Sequence, residues 1–157
     1  MRVREYPRYK KVLFCTDFSD NADYAFEFAY GIAKRDEGLL YILHVIPGNP
    51  QELFVEKLIS EDLVEKIHKV IGEDANTKCK KHYMDKIGDR DTCKAVTRSG
   101  REDEEILKFA KEEKVDLIVM GTHGRTGIEN VFFGSVAEKV LRRSPIPVLI
   151  IPGKKKA

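Results

Sequence analysis

Five short runs of apolar residues punctuate the chain, and the apolar positions between them fall at helical spacing. Val12-Leu13-Phe14-Cys15 is the first run, and Leu39 through Ile46 is the second, almost continuously apolar. Thr92-Cys93-Lys94-Ala95-Val96-Thr97 is mixed, Val115 through Met120 is apolar again, and Pro147 through Ile151 closes the series. Runs this short and this rich in Val, Ile and Leu predict strands buried on both faces. The more polar third run predicts a strand at the sheet edge.

Helical patterns fill the intervals. Ala22, Ala25, Phe26, Ala29, Ile32 and Ala33 recur at three- and four-residue spacing, with Ser19 or Asp20 as cap and Gly38 beyond the end. Leu53 to about Met84 is the longest helical segment, and Leu63, Ile67, Val70 and Ile71 form its clearest apolar stripe. Glu102-Asp103-Glu104-Glu105 opens a helix that turns Ile106, Leu107 and Ala110 inward and carries Lys111 and Lys114 in its last turn. Acid first and base last suits the helix dipole. Val136, Ala137, Val140 and Leu141 make the final stripe, stopped by Pro145.

Strict alternation of strand and helix requires crossover connections, and these imply a mainly parallel sheet with helices on both faces. The expected fold is therefore α/β: one doubly wound, five-stranded domain over residues 1–157, with a short basic tail at 153–157.

Composition narrows the function classes. A chain of 157 residues is a prior for one domain and buries roughly 70% of its extended surface. Its 42% hydrophobic content argues against disorder, whereas 34% charged residues imply a heavily charged surface. With 28 basic and 26 acidic residues the formal net charge is only +2. No global field then selects nucleic acid or an anionic membrane as a specific partner. No apolar stretch approaches the ~18 residues of a membrane span, and Met1 to Pro7 lacks the apolar core of a secretory signal. Cys15, Cys79 and Cys93 cannot all pair within one chain and suit a reducing compartment. The expected location is the cytoplasm.

Candidate chemistry concentrates in Gly121-Thr122-His123-Gly124-Arg125-Thr126-Gly127, followed after six residues by Gly134-Ser135. The stretch begins at the carboxyl end of a buried strand and ends at the start of an amphipathic helix. Open α/β sheets bind ligands at that edge, where strand order reverses. A helix N-terminus offers an anion free backbone N–H groups and partial positive charge. Glycines let backbone approach phosphate, Arg125 supplies charge-assisted contacts, and Ser135 is either a hydroxyl donor to the ligand or the helix cap. The plain alternative is a glycine-rich turn. The spacing is neither a Walker A loop nor the Gly-x-Gly-x-x-Gly dinucleotide fingerprint.

Gly121, Gly124, Gly134 and Ser135 follow the spacing Gly-x2-Gly-x9-Gly-Ser, and in this the chain resembles the ATP-binding branch of the universal stress protein family. "DLIVMGTHGRTG", "FFGSVAEKVLRRSPIPVLIIP" and "KKVLFCTDFSDNADYAFEFA" carry the same resemblance, which covers nearly the whole chain. It implies sheet order 3-2-1-4-5 and a nucleotide at the switch point between strands 1 and 4. It implies that Cys15, Thr16 and Asp17 meet the adenosine part, with Asp17 near the ribose or a phosphate-bound metal. Val45 would contact adenine, and Met120 and Gly121 would border the nucleoside. Gly124, Arg125, Gly134, Ser135 and Val136 would wrap the phosphates, with His123 contributing from within the loop. The implied cofactor is ATP with Mg2+ or Mn2+ held through its phosphates. Cys15 and Phe18 depart from the family, which favours proline and glycine there. Phe18 either narrows the adenosine end or packs on the first helix. Arg98 and Arg101 flank the usual Gly100 and are read as a solvated rim.

Other constellations are weaker. Asp17 lacks the acidic partners and lysine of a phosphoacceptor site. Cys79, His82 and Cys93, with His68, lack a second matched pair for zinc and are read as surface or half-buried residues on a long helix, with Cys93 a small apolar filler in a strand. His123 has no nucleophile with an orienting carboxylate nearby, and His44 is read as a hydrogen-bonded core residue. The apolar strand at 146–151 would lie at a sheet edge, which pairing with a second copy would cover. The resemblance implies that homodimer. The expected protein is a nucleotide-responsive homodimeric switch in stress response that binds ATP and an unknown protein partner, without efficient intrinsic hydrolysis. The alternative is a nucleotide hydrolase or adenylyl-transfer enzyme on the same fold.

Overall fold

A computed structural model describes residues 6–48, 59–88, 91–123 and 133–154. The elements run β1 (Lys11–Thr16), α1 (Asp20–Arg35), β2 (Leu39–Pro47), α2 (Glu61–His82), a short 3-10 turn (Met84–Lys86), β3 (Cys93–Gly100), α3 (Glu102–Glu112), β4 (Leu117–Gly121), α4 (Ser135–Arg143) and β5 (Val148–Ile151). The five strands form one sheet in the order β3-β2-β1-β4-β5, and every pairing is parallel. This is the doubly wound α/β fold that the alternation of elements implies.

Period-two alternation divides the core. Val12, Phe14, Leu40, Ile42, Leu117 and Val119 join Ala22, Ala25, Phe26, Ala29 and Ala33 of α1 and Cys79 of α2 on one face. Leu13, Cys15, Leu43, Val45, Ile118 and Met120 join Ile106, Phe109 and Ala110 of α3 and Ala137 and Val140 of α4 on the other. Successive strand residues point to opposite faces, so a strand with apolar residues at every position feeds both layers. Ser19 caps α1, accepting from the backbone N–H of Ala22. Gly38 is required at the end of that helix: a Cβ there would lie 2.5 Å from the Tyr9 carbonyl oxygen and 2.9 Å from that of Lys10.

One expected stripe does not face the sheet, and another does so except at its last residue. Leu63, Ile67, Val70 and Ile71 are all exposed, Val70 at 65%, and Cys79 is the buried residue of α2. A 22-residue helix is roughly 33 Å long, against roughly 26 Å for the eight residues of β3 on which it packs. Its C-terminal part docks and its N-terminal part does not. On α4, Ala137 and Val140 are buried but Leu141 is exposed. Segment 53–58, expected to be helical, lies outside the described residues.

Candidate functional site

A cavity of about 530 Å³ opens at the carboxyl end of the sheet. It lies where the central strand β1 has β2 on one side and β4 on the other, the switch point of a doubly wound sheet. Cys15, Thr16 and Asp17 from β1 and its exit, and Val45 from β2, line it. Met120, Gly121 and His123 from β4 and its exit, and Gly134, Ser135 and Val136 at the start of α4, line it too. The structure thus gathers these expected residues from distant parts of the chain. Gly124 and Arg125 lie outside the described residues.

The helix end on the rim is suited to an anion. Gly134 occupies the cap position of α4 with φ −66° and ψ 153°, and among the described residues no side chain caps the helix. The first N–H groups of the helix therefore have no intrahelical acceptor. Gly134 itself donates its N–H to the Thr122 carbonyl at 2.6 Å, which ties the start of α4 to the exit of β4. Ser135 is the first helical residue and not the cap, which excludes the capping role considered for it. Gly121 has a different reason to be glycine than an approach to phosphate. A Cβ on it would meet Asn21 Nδ2 at 2.7 Å, and that amide donates to the His123 carbonyl at 3.0 Å.

Thr16 lines the cavity, but its hydroxyl is engaged elsewhere. It lies 2.6 Å from the Tyr83 hydroxyl and accepts the Phe18 N–H at 2.9 Å. Tyr83 donates onward to Asp23 Oδ1 at 2.8 Å, and His82 Nε2 lies 2.8 Å from the same oxygen. A hydrogen-bonded chain thus runs from the cavity wall to α2. Burial, as the largest cause, pushes the Tyr83 phenol well above its ordinary range, so it stays a neutral donor. Asp17 Oδ1 accepts from the backbone N–H and hydroxyl of Ser19 at 3.1 and 2.6 Å. Burial likewise raises the Cys15 thiol far above its usual pKa, so it lines the cavity as an apolar filler and not as a nucleophile.

Phe18 neither narrows the cavity nor packs mainly on α1. It has φ 61°, in the left-handed region, and its ring lies 4.6 Å from His44 and 5.8 Å from His82. Lys78 Nζ sits 4.3 Å over the ring. Arg98 pairs with Glu112 at 2.7 Å and Arg101 with Glu104 at 2.9 Å, and neither lines the cavity. Cys79 is buried, against the expectation of a surface or half-buried residue, and burial pushes its thiol up to about 12, whereas Cys93 is buried as the apolar filler expected of it. Among the described residues no three His, Cys, Asp or Glu side chains are grouped to hold a metal.

Sequence reasoning missed several wall residues, two of them titratable. His44 donates from Nδ1 to the Thr16 carbonyl at 2.8 Å, as a core histidine would, yet it also borders the cavity. Glu102, read only as a helix-opening acid, is a wall residue as well. Its position directly after a strand end was the available signal, since every such position lies at the ligand edge of a parallel sheet.

Comparison with known proteins decides the lineage. The family model described as "Universal stress protein family" matches residues 8–152. The chain belongs to the universal stress protein family. Among its relatives, universal stress protein MJ0531 of Methanocaldococcus jannaschii is 37% identical over 150 residues, covering 94% of this chain and 85% of that protein. Universal stress protein MJ0577 of the same organism is 32% identical, covering 93% and 96%. The solved structure of MJ0577 superposes on this family member with a TM-score of 0.75 at 33% identity, covering 96% of this chain and all of that one. A universal stress protein crystallised in complex with cAMP superposes with a TM-score of 0.60 at 25% identity, covering 94% and 100%. No described helix is long and apolar enough to cross a membrane.

Proposed function

We propose that this universal stress protein binds ATP in the cavity at the switch point and acts as a nucleotide-responsive switch. The observation that carries the reading is the pairing of a 530 Å³ cavity with the uncapped start of α4 on its rim. The apolar walls suit a base and sugar, and the free N–H groups suit phosphate. The structural relative in complex with cAMP supports a nucleotide as the class of ligand. Gly124 and Arg125 complete the phosphate-binding set, and a divalent cation rides on the phosphates, with Asp17 as the residue that faces it. The cation would offset phosphate charge, and the chain's own work is to orient the nucleotide. Residues 1–157 act as one functional unit in the cytoplasm.

Switching requires ATP to bind two conformations of the protein with different affinity. The proposed assembly is a homodimer through strand 146–151. β5 pairs with β4 on one side, and its Val148, Leu149 and Ile150 are only half-buried, leaving an apolar edge that a second copy would cover. The dimer would present the nucleotide state to a protein partner.

Mass spectrometry of small molecules released from purified, denatured protein, with calorimetric titration of ATP, ADP and AMP in the presence of magnesium, tests the reading. Co-purified or saturably titrating ATP is expected, on a species that sediments as a dimer. Folded protein with no bound nucleotide and no heat would overturn the ligand assignment. A monomer that binds ATP would overturn the assembly alone.

A further inference from the structure

Glu102 is the first residue of α3 and directly follows the turn after β3. It lines the cavity together with Ile46, Pro47 and Ile106. Its neighbouring carboxylates have donors. Asp103, buried, accepts from Arg143 at 2.6 Å and Arg101 at 3.2 Å. Asp17 accepts from Ser19 at 2.6 Å. Glu105 has Lys108 at 3.9 Å. Glu102 is half-buried and has no hydrogen bond or ion pair from any of the described residues. An acid in the first turn of a helix is normally favoured by the helix dipole. Here burial first, and then the charges of Asp17 and Asp103, raise its pKa, with only Lys139 opposing them. Among the described residues, none satisfies this acceptor in the cavity wall.

Position assigns the acceptor to one end of the ligand. α3 packs against α4 as well as β2 and β3, but Glu102 stands two residues past Gly100, the register partner of Pro47 at the end of β2, whereas Gly134 and Ser135 follow β4, on the other side of β1. A nucleotide whose phosphates rest on the start of α4 directs its nucleoside toward β2 and α3. The groups it can offer there are hydrogen-bond donors, the sugar hydroxyls and the exocyclic amine of the base. We propose that Glu102 is a specificity-determining residue of this cavity, a carboxylate acceptor that selects nucleosides carrying a donor on that side. The inference rests on the nucleotide reading above. It follows from an asymmetry in polar recognition: a site that hydrogen-bonds an OH or NH group rejects the analogue lacking it, because its own buried acceptor is then left unpaired.

The test is calorimetric titration of wild type, Glu102→Gln and Glu102→Ala with ATP, 2′-deoxy-ATP and inosine triphosphate, with and without magnesium. Thermal unfolding of each variant serves as the folding control. The wild type is expected to prefer ATP about tenfold over one analogue. Loss against 2′-deoxy-ATP identifies the sugar hydroxyl as the donor, and loss against inosine triphosphate identifies the amine. Glu102→Ala is expected to bind ATP and that analogue equally, and Glu102→Gln, which keeps one acceptor oxygen, to fall between. The readout is a ratio between ligands, so repulsion between Glu102 and the phosphates cancels. A preference that persists in folded Glu102→Ala overturns the inference and leaves the nucleotide reading standing. So does a wild type that binds all three alike, or a Glu102 effect confined to magnesium. A wild type that binds none of the three overturns both.

Discussion

Asp36 shows how one carboxylate fastens the start of the chain to the end of a helix. Its Oδ2 accepts the Tyr9 N–H at 2.8 Å, and its Oδ1 accepts from Arg35 Nε at 2.8 Å. The Arg35 guanidinium first, and then the Tyr9 N–H, hold the carboxyl down from 3.8 to about 2. A carboxyl depressed in the folded state contributes stability in full above its unfolded pKa and loses it as pH falls through the folded one. Unfolding free energy measured by denaturant titration should therefore decline from about pH 4 to about pH 2 through this group, and the decline should be smaller in Asp36→Asn. An identical acid limb in both proteins would contradict the assignment. Arg35 is 64% exposed, so its share should weaken with salt, whereas the Tyr9 contact should not.

Among the elements, α1 and α3 end alike. Past α1, Gly38 N–H donates to the Ala33 carbonyl and Glu37 N–H to that of Lys34. Past α3, Val115 N–H donates to Ala110 and Lys114 N–H to Lys111. Both are Schellman closures, and both place a non-glycine residue in the left-handed region, Glu37 at φ 51° and Lys114 at φ 55°. Relief of that strain outweighs the extra chain entropy of glycine. Glu37→Gly and Lys114→Gly should each therefore raise stability by about 0.5–1 kcal/mol. Chemical denaturation checks this, and a fall in midpoint for both would show that the conformation costs nothing. This scale also shows where periodicity stops informing. The stripe Leu63, Ile67, Val70 and Ile71 is regular, yet regularity says that a helix has an apolar side and not what that side meets. The strands were legible because burial on both faces leaves no polar positions in Val12–Cys15 or Leu40–Leu43, and the polar Lys94 marked β3 as an edge.

At the scale of the whole molecule, the site was legible where backbone chemistry makes it. Glycines 121 and 134, and the strand ends at Asp17 and Met120, mark the ligand edge of any parallel sheet. Glu102 was legible only through its place just past a strand end, and His44 was not legible as a wall residue. Their local surroundings, an acidic helix start and an apolar strand, explain them fully until the sheet brings β1, β2 and α3 together. The proposed phosphate and nucleoside ends of the cavity therefore come from segments far apart along the chain. Saturating nucleotide should accordingly stabilise the whole fold, by about 2.7 kcal/mol at a hundredfold excess over its dissociation constant. A thermal-unfolding midpoint unchanged by ATP would count against the proposed site.

The central place of β1 carries a consequence for turnover in the cell. The cavity's walls come from β1, β2, β4 and the first turns of α1, α3 and α4, so none of these elements can open without dismantling it. Proteases act on such a chain through its transiently opened forms, whose population is set by the free energy of opening. An occupant of the cavity would lower that population for all of these elements at once. Occupancy would thereby be recorded as lifetime: the filled protein would outlast the empty one, and abundance itself would become a readout of ligand concentration.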